Sequence, residues 1–188
     1  MAPVDPKLRK AEIVAAAFGL VAEGGLEAST MRRIATAAGA TTGRVTHYFD
    51  SRVDVLVAVV AEVDRRREAR IAFHAGLEPS ARLRAVLHER LALDSQRVHE
   101  QRVCVALSTT DIPELRDELA RQRADWDHLV GSLIDGVRGK PAGDTSTIAI
   151  VATVDGMSLR LMADCTPRTR RDAERAINDA LRAVCLTD

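Results

Sequence analysis

The chain has 188 residues, 46% of them hydrophobic and 29% charged, with 27 basic side chains balanced by 27 acidic ones. That much apolar content excludes a disordered segment and suffices for one substantial globular unit, or a small domain fused to a larger one. A net charge of zero also excludes a protein that grips nucleic acid with its whole surface, so any affinity for DNA has to come from a local patch.

In chain order, Asp5-Pro6 is a cap followed by a first-turn proline, and Ile13, Ala16, Ala17, Leu20 and Val21 form an apolar helical face that stops at Gly24-Gly25. Ser29 and Thr30 can cap a second helix carrying Met31, Ile34, Ala35 and Ala38, and Gly39 permits the left-handed turn that ends it. After a three-residue turn, a third pattern begins at Thr41. It exposes Thr42, Gly43, Arg44, Thr46 and His47 and turns Val45, Tyr48 and Phe49 partly inward. Small Ala35, Ala38 and Ala40 let these two helices approach closely, as in a helix-turn-helix. Ser51 then restarts the chain as a helix, with Asp54 three residues on as a capping box. This fourth helix runs through Val53, Leu56, Val59, Val60 and Val63 into Arg65, Arg66, Arg67 and Arg70, which read as a solvated face paired with Glu62, Asp64 and Glu68.

The composition shifts at Gly76-Leu77-Glu78-Pro79. A fifth helix carries Leu83, Val86, Leu87 and Leu91, a sixth Val98 and residues 102–107, and Pro113 opens a long seventh through Leu115, Leu119, Trp126, Leu129, Val130, Leu133, Ile134 and Val137. Thr145 starts an eighth and Thr166-Pro167 a ninth. No strand alternation of any length occurs, so the expected fold is all-α with about nine helices. The expected division is a helix-turn-helix head over 1–52, a connecting helix over 53–76 and a helical body over 77–188.

Between Ser29 and Arg52 stand Arg32, Arg33, Arg44 and Arg52 against the single acid Asp50, a local excess of positive charge within a neutral chain. The order I-V-A-A-A-F-G-L-V-A-E-G-G, then T-M-R-R-I-A-T-A-A-G, then T-T-G-R-V-T-H-Y-F-D-S-R-V-D-V-L, from Leu8 to about Val63, resembles the DNA-binding domain of TetR-family transcriptional regulators. The chain departs from that family's common pattern at Thr46, where many members have Tyr, and at Arg52, where many have Lys. The resemblance implies a ligand-responsive regulator, most often a repressor, that binds an inverted-repeat operator in double-stranded DNA and is released by a small-molecule inducer. It further implies a homodimer joined through the last two helices. The eighth helix supports this, because Ile148, Ile150, Val151, Val154, Met157, Leu159, Leu161 and Met162 make it apolar on more than one face.

On this reading Thr42, Arg44 and Thr46 face base edges, Arg32 reaches a base or a phosphate, and Thr30, Thr41, His47, Tyr48 and Arg52 hold phosphates. Thr30 and Thr41 serve equally well as helix caps, and Tyr48 as core. A ligand pocket is expected among Phe73, Cys104, Leu107, Trp126, Met157 and Leu161, with His99, His128 or Asp155 supplying polarity, although core packing explains the apolar members as well. No cofactor is expected beyond an unidentified effector.

Cys104, Cys165 and Cys185 lie far apart with no C-x-x-C pair, which fits neither a disulfide scaffold nor a zinc site and reads as buried small hydrophobes. The polar start and the lack of a run of roughly 18 apolar residues point to a cytoplasmic protein without a membrane partner. The five histidines show no metal-ligand spacing, and no nucleophile elbow or phosphate-binding glycine loop occurs, so an enzyme is not expected. Two alternatives stay open: a helical adaptor that keeps the head fold without sequence-specific DNA binding, and a cysteine enzyme using Cys104 with His99 or His128.

Overall fold

The structure, a computed structural model, describes residues 5–141 and 143–185, the side chain of Cys185 excepted. Among the described residues all regular secondary structure is helical, with no strand. The helices are α1 (Pro6–Gly24), α2 (Met31–Ala37), α3 (Thr42–Thr46), α4 (Arg52–Ala72), α5 (Pro79–Glu89), α6 (Ser95–Ser108), α7 (Pro113–Arg138), α8 (Asp144–Ala163) and α9 (Pro167–Cys185). The all-α expectation holds, and the expected caps set several of the observed ends. Asp5 Oδ1 accepts from the Lys7 amide at 2.9 Å, with Pro6 at the first helical position. At the start of α4 the Ser51 amide donates to Asp54 Oδ2 at 2.8 Å while the Asp54 amide donates to Ser51 Oγ at 3.1 Å, a reciprocal capping box. A single 3-10 turn over Leu26–Ala28, which periodicity does not reveal, follows α1. Gly24 sits where an added Cβ would come within 2.6 Å of the Ala28 Cβ, so only glycine lets this turn fold back onto α1.

The helices divide into two compact units. One comprises the residues up to Arg65 together with Arg102–Ala120; the other comprises Arg66–Gln101 and the residues from Arg121 onward. Residues 102–120, expected in the body, thus group with the head. The core of the head unit is built from Ile13, Ala17 and Val21 of α1, Ile34 and Ala35 of α2, Val45 of α3, and Val55, Leu56, Val59, Val60 and Val63 of α4. Val103, Leu107 and Leu115 complete it. Each fully buried aliphatic side chain of this kind is worth roughly 1.5–3 kcal/mol over its exposed state.

The core of the body unit joins Leu83, Val86, Leu87 and Leu91, Trp126, Val130 and Ile134, Ile150, Val154 and Leu161, and Ala173, Ile177 and Leu181. Although polar residues interrupt it, so that no run of about 18 apolar residues occurs, α8 is long and apolar enough by length and composition to cross a membrane. Its buried side, however, packs into the body core, and mid-helix Asp155 is ion-paired to Arg90 and Arg123. These are the marks of a core helix.

The arginine run of α4 is also less solvated than its sequence suggests. Arg65 does pair with Glu62, at 2.7 Å, but Arg67 is buried. Arg70 forks onto Glu100 at 2.7 and 3.0 Å and reaches Glu89 at 3.0 Å. Burial pushes the Arg70 guanidinium pKa down, and the hydrogen bonds and charges of Glu100 and Glu89 more than reverse this, so the pKa is raised. Charged partners separated by many residues in sequence cannot be paired from helical spacing alone. Among the cysteines, Cys165 is exposed and Cys104 half-buried, so neither is the buried hydrophobe expected; Cys185 lies outside the described side chains.

Burial depresses His88 below the ordinary histidine value of 6.5, with Glu174 opposing and Arg84 and Arg97 assisting. As pH falls through 6.5 the unfolded chain takes up a proton that folded His88 resists, so the folded state loses stability. The melting temperature is therefore expected to drop on acidification from about pH 7 to below about pH 6, and His88→Gln to make that drop smaller in parallel thermal melts.

Candidate DNA-binding site

The head presents α2, a tight turn and α3. Thr30 is the N-cap of α2, its Oγ1 accepting from the Arg33 amide at 3.3 Å, and Thr41 plays the same role for α3, accepting from the Arg44 amide at 3.2 Å. The turn between them is closed by the Ala40 amide donating to the Ala35 carbonyl at 2.9 Å and the Gly39 amide to the Thr36 carbonyl at 3.1 Å. Gly39 takes a φ of +60°, a conformation that costs a residue with a side chain and that ends α2 abruptly. The result is a helix-turn-helix whose second helix is only five residues long.

What holds α3 is Val45, wholly buried in the head core, with Phe49 beside it just past the helix end. The ammonium group of Lys10 sits 5.5 Å from the Phe49 ring centroid. Turning Val45 inward leaves Thr42, Gly43, Arg44, Thr46 and His47 exposed. Thr46 Oγ1 donates back to the Gly43 carbonyl at 3.1 Å, which fixes its rotamer and keeps its methyl group and oxygen on the outer surface. His47 meets Tyr48 edge to face at 5.0 Å, and Tyr48 is half-buried against the core. Arg44 on α3 and Arg32 and Arg33 on α2 are exposed and make no ion pair among the described residues. An outward-facing set of unpaired guanidiniums and hydroxyls on a fixed helix can donate to base edges and to phosphate oxygens.

Arg52 also makes contacts within the head. Its Nη2 donates to the Leu26 carbonyl and to Ser29 Oγ, the latter at 3.3 Å. Ser29 is itself wholly buried and donates to the Leu26 carbonyl at 2.7 Å, so it does not share the capping of α2 with Thr30. Arg52 thereby pins the start of α4 to the segment that leads into α2. Nothing in local periodicity signals a bond across 26 residues to a backbone carbonyl, and in sequence the serine beside the cap reads as part of it.

Of the residues expected to line a ligand pocket, Trp126, Asp155, Met157 and Leu161 lie in the body unit, where Arg90 stands by both Trp126 and Asp155, and Cys104 and Leu107 lie in the head unit. Phe73 is 86% exposed. Leu107 is wholly buried in the head core, and Cys104 packs against that same core. Trp126 and Leu161 are buried in the body core, with Met157 packed against it. Asp155 is paired with Arg90 at 3.2 Å and Arg123 at 3.6 Å, while His99 is half-buried on α6 and His128 exposed on α7.

Fold and exposed face together define a helix-turn-helix DNA-binding regulator. Residues 13–59 match the model of bacterial regulatory proteins of the tetR family. The chain is 23% identical over 201 residues to the HTH-type transcriptional regulator PksA of Bacillus subtilis, covering 98% of this chain and 94% of that protein. It is 27% identical to the HTH-type transcriptional regulator BetI of Stenotrophomonas maltophilia, covering 84% and 82%. A transcriptional regulator from Rhodococcus sp. superposes with a TM-score of 0.84 at 24% identity, covering 94% of this chain and 96% of that one. A regulator from Saccharomonospora viridis solved in complex with choline superposes at 0.81 with 18% identity, covering 92% and 95%. Residues 13–59 thus carry a head of the tetR-family type, within a fold shared with these regulators over nearly the whole chain.

The Arg52 anchor carries a direct consequence for the DNA-free protein. Arg52→Met keeps the alkyl stem but leaves Leu26 and Ser29 without their charged donor, and is expected to cost about 1.5–3 kcal/mol in a urea titration. An unchanged midpoint would mean that the guanidinium does not hold the head together.

Proposed function

We propose that the chain is a repressor that binds an inverted-repeat operator as a homodimer and leaves it when a small molecule occupies the body. The observation that carries the first part is the fixed outer face of α3, where Arg44 is exposed and unpaired between Thr42 and Thr46. On this reading Arg44 forks onto a guanine while Thr42 and Thr46 meet neighbouring bases. Thr46, with its short side chain held back on Gly43, gives a contact different from the tyrosine common in the family. Arg32, Thr30, Thr41, His47 and Tyr48 serve phosphates or the edge of the site, and Arg52 acts from behind as an anchor.

Dimerisation is supported by α8, where Ile148 is 62% and Leu159 43% exposed and Ala152, also exposed, lies on the same side of the helix. A second copy would cover that stripe through α8 and α9, placing two α3 helices about one helical turn of DNA, roughly 34 Å, apart. Control by a small molecule is supported by the choline-bound relative from Saccharomonospora viridis. Release requires that the ligand bind better to a conformer whose heads do not fit the operator. The relatives are regulators, which favours neither the adaptor nor the cysteine enzyme, and a non-catalytic protein of the cytoplasm is the reading adopted.

Arg44→Ala is expected to weaken binding to the cognate operator by about 1–3 kcal/mol, and to do so at one base-pair position of each half-site. Gel-shift titrations against the operator and its single-base variants measure this. A uniform loss across all duplexes would make Arg44 a phosphate contact, and no loss would favour the adaptor.

A further inference from the structure

Trp126 is 5% exposed, and its indole Nε1–H, buried with it, has no hydrogen-bond acceptor among the described residues. Buried polar groups normally find partners, so an unused donor on an otherwise apolar ring marks a place where an acceptor is missing. Beside it stands Arg90, whose guanidinium carbon lies 5.2 Å from the Trp126 ring centroid. Arg90 is fixed in three ways: its carbonyl accepts from buried Ser158 Oγ at 2.9 Å, its Nε donates to Asp155 Oδ1 at 3.2 Å, and its guanidinium carbon lies over the indole. The Nε bond uses one of the five N–H donors of a guanidinium, and among the described residues no ion pair or hydrogen bond takes those on the two Nη atoms.

The local charge has the matching sign. Asp155 is shared between Arg90 at 3.2 Å and Arg123 at 3.6 Å, which leaves two guanidiniums facing one carboxylate. A preoriented arginine with a free fork, next to a buried N–H donor and an excess positive charge, is suited to a planar oxyanion. The same arrangement disfavours a quaternary ammonium: among the described residues the body unit has no buried aromatic besides Trp126, and Arg90 already stands at that ring.

We propose that the effector of this protein carries a carboxylate, which accepts from Trp126 Nε1–H and from the Nη groups of Arg90 while its apolar part lies against the aliphatic body core. This rests on the reading of the body as an effector-binding unit and names the class of effector. Asp155 is then a positioning residue that holds the arginine in register and that the incoming anion meets as a competitor for the same cation.

Trp126 is the sole tryptophan of the chain, so its fluorescence reports directly on the site. Hexanoate is titrated into the full-length protein, with hexan-1-ol and choline as controls. A saturable change in emission with hexanoate, weaker with the alcohol and absent with choline, is the expected result. Arg90→Met should raise the hexanoate dissociation constant at least tenfold, and Trp126→Phe, read by calorimetry, should raise it while an aromatic ring is retained. Should Arg90→Met melt well below the parent, Arg90→Lys keeps the charge but not the fork and is expected to show the same weakening. Equal binding of hexanoate and hexan-1-ol, saturable binding of choline, or no hexanoate response overturns the proposal. Selective duplex binding without a hexanoate response refutes the carboxylate site alone. A hexanoate response without selective duplex binding refutes the regulator reading and leaves the site standing.

Discussion

A helix of five residues does not persist in water, because the first hydrogen-bonded turn costs more backbone entropy than so few further bonds return. α3 is such a helix, and it exists because Val45 is locked into the head core and Phe49 is seated immediately after it. Everything the head presents depends on this one insertion. If Val45 is inside, the helical period puts Arg44 and Thr46 outside, Thr42 stays exposed as the first residue of the helix, and the cap from Thr41 and the turn at Gly39 fix how the helix leaves α2. Arg52 extends the same constraint backward by tying the first turn of α4 to the carbonyl of Leu26, so the elements around the reading face share one rigid frame.

The neutral charge of the chain acquires meaning from where its ion pairs fall. In the body, Arg70 is committed to Glu100 and Glu89, Arg97 to Asp94 and Glu89, and Arg90 to Asp155. On the outer face of the helix-turn-helix, Arg32, Arg33 and Arg44 carry no such commitment among the described residues. Within residues 29–52 these arginines stand against the single acid Asp50, so a protein with no net charge can still possess a local positive field there.

Sequence reasoning succeeds where the determining interactions are local. The capping threonines, the Ser51–Asp54 box, Pro6 and Gly39 act within a few residues of themselves, and the helix ends follow from them. It fails where the deciding partner lies far along the chain. Arg70 reads as solvated because Glu89 and Glu100 sit 19 and 30 positions away, and the bond of Arg52 to a backbone carbonyl 26 positions back is equally invisible in the sequence. The residues expected to line a pocket divide for a related reason: Leu107 and Trp126 carry the same apolar signal, yet one belongs to the core of the head unit and the other to that of the body. Conversely, the significance of Trp126 lies in a missing bond, which no periodicity reports.

The central claim is that the exposed face of α3 reads DNA sequence as one half of a symmetric pair. Selection of the purified full-length protein on a library of random duplexes measures this without a target having to be chosen. The expected result is enrichment of an inverted repeat whose half-site centres are about one helical turn, roughly 34 Å, apart, with a guanine under Arg44 in each half. Recovery of duplexes with no common sequence, or of a single unpaired half-site, would contradict it.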